Sequence, residues 1–156
     1  MVYLDESGFE STTNYRPYGR AKQGKRLISD ISGKRAKRTS VISGLRNGKL
    51  IAPGYFEGYT DSKLFNAWLE KSLLPELEPG QVVIMDNAAF HKNPKTRELI
   101  ESAKCRLIYL PTYSPDLNPI EKVWANIKAR IRKNRKLFNN IENALIHELK
   151  SAQLLP

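Results

Sequence analysis

The 156-residue sequence has a single cysteine, only two histidines and no apolar run approaching the ~20 residues that cross a bilayer. One cysteine excludes an intramolecular disulfide. Cys105, inside CRLIYL, is expected to pack as a small apolar side chain. The missing apolar run excludes a transmembrane helix, and a charge as early as Asp5, with no apolar stretch behind it, does not resemble a secretory signal. Internal repeats, coiled-coil heptads and any linker long enough to demand a second domain are also lacking. Acidic residues are few beside basic ones, 16 against 26, for a net charge of +10. Such an excess favours a polyanionic partner, and nucleic acid suits it better than a membrane.

The positive charge is unevenly spread. Residues 20 to 49 hold ten Lys/Arg and one acid, Asp30, whereas residues 122 to 136 hold seven and none. A solvated surface mixes signs more evenly, so phosphate binding is the favoured reading and basic solubilising loops the alternative.

Periodicity predicts strands first, then alternating helices and strands. VYLDESG reads as an opening strand, and the basic stretch from Tyr15 through Arg38 as a second strand or hairpin. RTSVISGL and KLIAPGYF flank Asn47-Gly48, a strong hairpin signal because both turn positions must accept positive φ. Thr60 is expected to cap a helix carrying Leu64, Phe65, Trp68, Leu69 and Leu73 on one side. QVVIMD reads as a buried strand, Asn93-Pro94 opens a helix to about Ala103, and CRLIYL is the last strand. Asn118-Pro119 starts a long helix with Ile120, Val123, Trp124, Ile127 and Ile131 facing the core. A final helix covers about Ile141 to Ala152, with His147 in a structural role. This order predicts an α/β fold, a mixed sheet with one antiparallel hairpin and right-handed parallel crossovers, flanked by helices.

Three acids stand out. Asp5 and Asp86 each follow an apolar run, and Glu121 opens a helix. Strand ends are where α/β folds place ligands. Hard oxygen donors gathered there suit Mg2+, and two such ions support phosphodiester chemistry, so a metal-dependent nuclease or strand-transferase core leads. Each acid has a plainer reading. Asp5 could close a strand into a turn, and Asp86 or Asn87 could form an Asx-turn. Asn118 followed by Glu121 fits a capping box, with Glu121 bonding back to the Asn118 amide. Glu6 is expected on the face opposite Asp5 and is not counted as a ligand. Asp116, in a Ser-Pro-Asp turn, is set aside. His91, five residues after Asp86, could order the loop or touch DNA or a metal-bound water. On the face of Glu121 come Lys128 and Arg132, expected to hold a DNA backbone leading into the site.

The blocks LDESGF, MDNAAFH and LPTYSPDLNPIEKVW resemble the catalytic domain of the mariner-like transposases, especially the bacterial insertion-sequence branch within the integrase superfamily. The 34 residues between Asp86 and Glu121 match the spacing of that family, and the likeness covers nearly the whole chain. The resemblance implies a ribonuclease-H-like fold. Asp5, Asp86 and Glu121 would be the catalytic metal ligands, with Asn87 and His91 as companions and two Mg2+ or Mn2+ ions as cofactor. It also implies cut-and-paste DNA transposition by a homodimer on DNA, in the cytoplasm at the nucleoid. Relatives carry helix-turn-helix modules before the first catalytic strand, but only four residues precede Asp5. Residues 1 to 156 are thus expected to be one catalytic domain without that module, partnered by a separate helix-turn-helix product or left as a truncated copy. An inactive DNA-binding remnant is the alternative. A ribonuclease or resolvase on the same fold is a further one, against which the YSPDLNPIE block speaks.

Overall fold

The computed structural model describes residues 1–10, 22–24, 37–112 and 114–154. Five strands form one sheet: β1 (Val2–Glu10), β2 (Arg38–Arg46), β3 (Lys49–Glu57), β4 (Val82–Met85) and β5 (Arg106–Tyr109), in the order β3-β2-β1-β4-β5. β1, β2 and β3 pair antiparallel, whereas β1/β4 and β4/β5 are parallel. The mixed sheet follows the sequence expectation. Most of the basic stretch from Tyr15 to Arg38, with its expected strand or hairpin, lies outside the described residues.

The β2/β3 turn is built as expected, with φ of 51° at Asn47 and 80° at Gly48. The hairpin register breaks between Ile42 and Gly44, where β3 accommodates Ala52 at a φ of 47°. That bulge is tied down on both sides. Glu76 accepts from the Ala52 amide at 3.2 Å, and the Trp68 indole donates to the Ala52 carbonyl at 2.8 Å.

Among the described residues four α-helices cover the two faces: α1 (Ser62–Trp68), α2 (Pro94–Ser102), α3 (Ile120–Asn134) and α4 (Ile141–Leu154). α1 is capped by Asp61, whose carboxylate accepts from the Leu64 amide at 2.8 Å; the expected cap, Thr60, lies one residue outside. α2 begins as predicted, with the Asn93 side chain accepting from the Lys95 amide and Pro94 in the first turn.

Alternation along the strands sorts the core into two layers. Val2, Leu4, Ile42, Val83 and Met85 pack with Phe65, Trp68, Leu73, Ile100 and Cys105 beneath α1 and α2. Phe9, Val41 and Leu45 pack on the other face with Ile120, Trp124, Ile127 and Ile131 of α3 and with Leu145 and Leu149 of α4. The apolar stripe expected of α3 is therefore the seam that seats it on the sheet, and Cys105 is buried as expected.

Candidate active site

Parallel pairing brings the first two acids together. Val2 and Tyr3 of β1 stand opposite Val83 and Ile84 of β4, so continuing that register sets Asp5 beside Asp86. β4 ends at Met85, and Asp86 is the first residue beyond it. Asp5 differs from its expected place at a strand end. β1 parts from β4 but stays paired to β2 as far as Glu10, so Asp5 lies mid-strand where the sheet splits.

Glu121 comes from the start of α3, which is bonded directly to β1. The Asn118 amide group donates to the Leu4 carbonyl at 3.2 Å, and the Trp124 indole N–H donates to Asp5 Oδ2 at 3.0 Å. Asp5, Asp86 and Glu121 thus line one cavity of about 330 Å3, together with Asn87, Thr112 and Asn118. Asp116 sits exposed in the turn before α3 and is not part of the lining.

The capping-box alternative for Glu121 does not form. The Asn118 backbone N–H donates to the Pro115 carbonyl at 3.0 Å, and its side chain is taken by Leu4. Among the described residues the exposed Glu121 carboxylate has no hydrogen bond or ion pair, which leaves it open to the cavity. Asn118 Oδ1 is buried beside it, likewise without a partner among the described residues.

His91 joins the site in an unexpected way. Its ring is fully buried, with centroids 4.4 Å from Phe65 and 4.1 Å from Phe90. Nδ1 lies 2.6 Å from Asp86 Oδ1, and Nε2 lies 2.9 Å from Glu6 Oε1. Ionised carboxylates only accept, so both ring nitrogens donate and the imidazole carries a charge. Burial pulls the His91 pKa down, but the bonds to Asp86 and Glu6 outweigh it and raise the pKa to about 9. The His91 bond in turn holds the Asp86 carboxyl below its ordinary value. This supports the loop-ordering role of His91. A side chain with no exposed surface offers no atom for direct DNA contact in this arrangement.

Glu6 does face away from Asp5, as alternation requires, yet it reaches the site through His91. No local pattern reports this, because the partners are 85 residues apart in sequence. Of the expected DNA contacts, Asn87 lines the cavity and donates to Thr112 Oγ1 at 3.2 Å. Lys128 and Arg132 lie farther along α3, outside the lining; Lys128 Nζ stands 5.5 Å from the centre of the Phe9 ring.

Burial pushes the Asp5 pKa up to about 7, aided by the negative charges of Glu121, Glu6 and Asp86. Hard oxygen donors crowded around one cavity, with that repulsion unrelieved, suit a divalent cation. Among the described residues no three such donors are drawn together tightly enough to hold an ion as they stand. The side chains account for this: Asp5 is held by Trp124, Asp86 Oδ1 is held by His91, and Glu121 is held by no side chain among the described residues. Three carboxylates around one cavity are the donor chemistry that a hard divalent cation takes.

The family model of the DDE superfamily endonucleases matches residues 1–143. The chain belongs to this family. An uncharacterized 39 kDa protein of insertion element IS630 from Shigella sonnei is 38% identical over 55 residues, 35% of this chain and 16% of that protein. The Mos1 transposase in its paired-end complex with the left transposon end shares the DDE endonuclease fold at a TM-score of 0.72 and 16% identity, covering 99% of this chain and 48% of Mos1. A Mos1 mariner paired-end complex with Mn gives a TM-score of 0.70 at 18% identity, covering 99% and 48%. The chain thus spans about half the length of Mos1, and the matched stretch a smaller share of the insertion-element protein. Among the described residues no helix is long and apolar enough to cross a membrane.

Proposed function

We propose that this chain is the catalytic core of a DNA transposase, with Asp5, Asp86 and Glu121 as ligands of two Mg2+ or Mn2+ ions. The observation that carries the reading is the meeting of the three acids at one cavity, where the sheet splits. Bound ions would polarise the scissile phosphodiester and activate the attacking oxygen. Asp5 would bind from β1, Asp86 from the loop that follows β4, and Glu121 from the first turn of α3. The reaction class is hydrolysis at a transposon end, water adding at phosphorus as the 3′-oxygen leaves, followed by transesterification. In that second step the freed 3′-hydroxyl displaces a target-strand oxygen, so one P–O bond forms as another breaks.

On this reading residues 1–156 act as one catalytic domain. Two copies of the chain work together, because two ends must be joined to one target. Lys128 and Arg132 hold the DNA backbone, and Asn87 lies at the cavity mouth beside it. Lys128→Glu/Arg132→Glu is expected to weaken DNA binding and to reduce the slope of log K against log salt by roughly 2. Fluorescence anisotropy across a salt series measures this, and an unchanged slope removes those two contacts.

A calorimetric Mn2+ titration of the chain beside Asp5→Asn/Asp86→Asn tests the metal site. Binding that disappears in the double variant is expected. Equal binding in both, or none even with DNA present, would turn the reading to a remnant that holds DNA without cutting it.

A further inference from the structure

Asp86 enters the cavity from a loop rather than from a strand, so something must fix its carboxylate. Two donors converge on a single oxygen: the Ala88 amide reaches Asp86 Oδ1 at 3.0 Å, and His91 Nδ1 reaches it at 2.6 Å. Oδ2 carries neither bond. A carboxylate pinned through one oxygen presents the other in a set direction.

The ring that does the pinning is itself held all round. Phe65 and Phe90 flank it, and the Tyr109 hydroxyl donates to the His91 carbonyl at 2.9 Å. The His91 amide donates to the Ala88 carbonyl at 3.1 Å, which closes the loop on itself. None of these contacts decides which way the imidazole edge faces within its slot. The bond from Nε2 to Glu6 Oε1 does, because it ties the far end of the ring to the middle of β1. Glu6 is 16% exposed at its side chain, and it lies next to Asp5 on the strand that carries the first acid.

We propose that Glu6 is a positioning residue for metal binding: through His91 it holds Asp86 so that one carboxylate oxygen faces the cavity. The chain Glu6–His91–Asp86 runs from the α1/α2 side of the sheet to the cavity and couples the second acid to the strand bearing the first. The inference rests on the reading of Asp86 as a metal ligand. Residues that orient a metal ligand by hydrogen bonding typically contribute 10–100-fold to affinity.

Mn2+ affinity of the whole chain, Glu6→Thr and Glu6→Gln tests it by calorimetry, with thermal melts in EDTA as the check on folding. Threonine is short of His91 but suits a strand, so β1 persists. Glutamine keeps an oxygen within reach of Nε2. Glu6→Thr is expected to bind Mn2+ 10–100-fold more weakly, and Glu6→Gln to recover most of that loss. The imidazole nitrogen shifts of His91, read by NMR in EDTA, are expected to change in Glu6→Thr and stay near their original values in Glu6→Gln. Equal Mn2+ affinity in all three proteins overturns the positioning role while leaving the metal site intact. Equal weakening in Glu6→Thr and Glu6→Gln also overturns it, since charge rather than orientation would then matter. Absence of Mn2+ binding by the unaltered chain removes the metal reading and the inference with it.

Discussion

Replacing Asp5 with asparagine is expected to stabilise the protein in EDTA at pH 8. The carboxyl is buried among other acids, and its pKa rises from 3.8 to about 7. A group raised on folding contributes its full stability below the unfolded value and loses it as pH climbs through the folded one. At pH 8 the native protein therefore bears an ionised Asp5 at a cost on the order of 4 kcal/mol. Asparagine can keep an oxygen for the Trp124 indole without the charge. For a chain of this size the melting temperature should rise by more than about 5 °C. The gap should narrow as pH falls below 7 and close near 4. Added Mg2+ should raise the melting point of the original chain and leave Asp5→Asn nearly unmoved. A variant that melts at or below the original at pH 8 would show that Asp5 is not under the strain described.

Removing the imidazole should act in the opposite direction. His91→Ala leaves Glu6 and Asp86 without their shared donor and opens a gap between Phe65 and Phe90. Deleting one partner of a buried ion pair costs about 3–5 kcal/mol, and because the Asp86 carboxylate is half exposed a loss of about 2–3 kcal/mol is expected here. Urea unfolding at pH 6.5 measures it, and a loss under about 1 kcal/mol would contradict the clamp. The pH profile gives a second signature. His91 is raised from 6.5 to about 9, so its contribution is complete below 6.5 and fades as pH rises through 9. Asp5 loses its contribution between about pH 4 and pH 7, just below that window. The original chain in EDTA should thus weaken from about pH 4 to about pH 9, and His91→Ala should lack the upper half of that decline.

Much of the site was legible because short apolar runs carry acids to a sheet edge, and VVIMD does so without distortion. The hairpin and α3 were equally readable, since Asn47-Gly48 and the Ile120–Ile131 stripe each have a local physical cause. Three features depended on distant partners. The opening strand was expected over VYLDESG, and pairing with β2 carries it two residues further, to Glu10. Asn118 and Glu121 have the spacing of a capping box, but Leu4, 114 residues away, claims the asparagine side chain. Glu6 meets His91 across 85 residues, and alternation alone assigns it to the wrong side of the sheet for a role in the site.

The Trp124 indole has a consequence for how such a chain can change over time. It lies one helical turn beyond Glu121 and bonds Asp5, 119 residues away in sequence. The separation of the first and third acids is therefore set by a direct bridge rather than by the connections between them. Residues can be gained or lost in the Asn47-Gly48 turn, or in the connection from β3 to α1, without shifting one acid against the other. A scaffold of this kind tolerates drifting loop lengths while its chemistry stays in register.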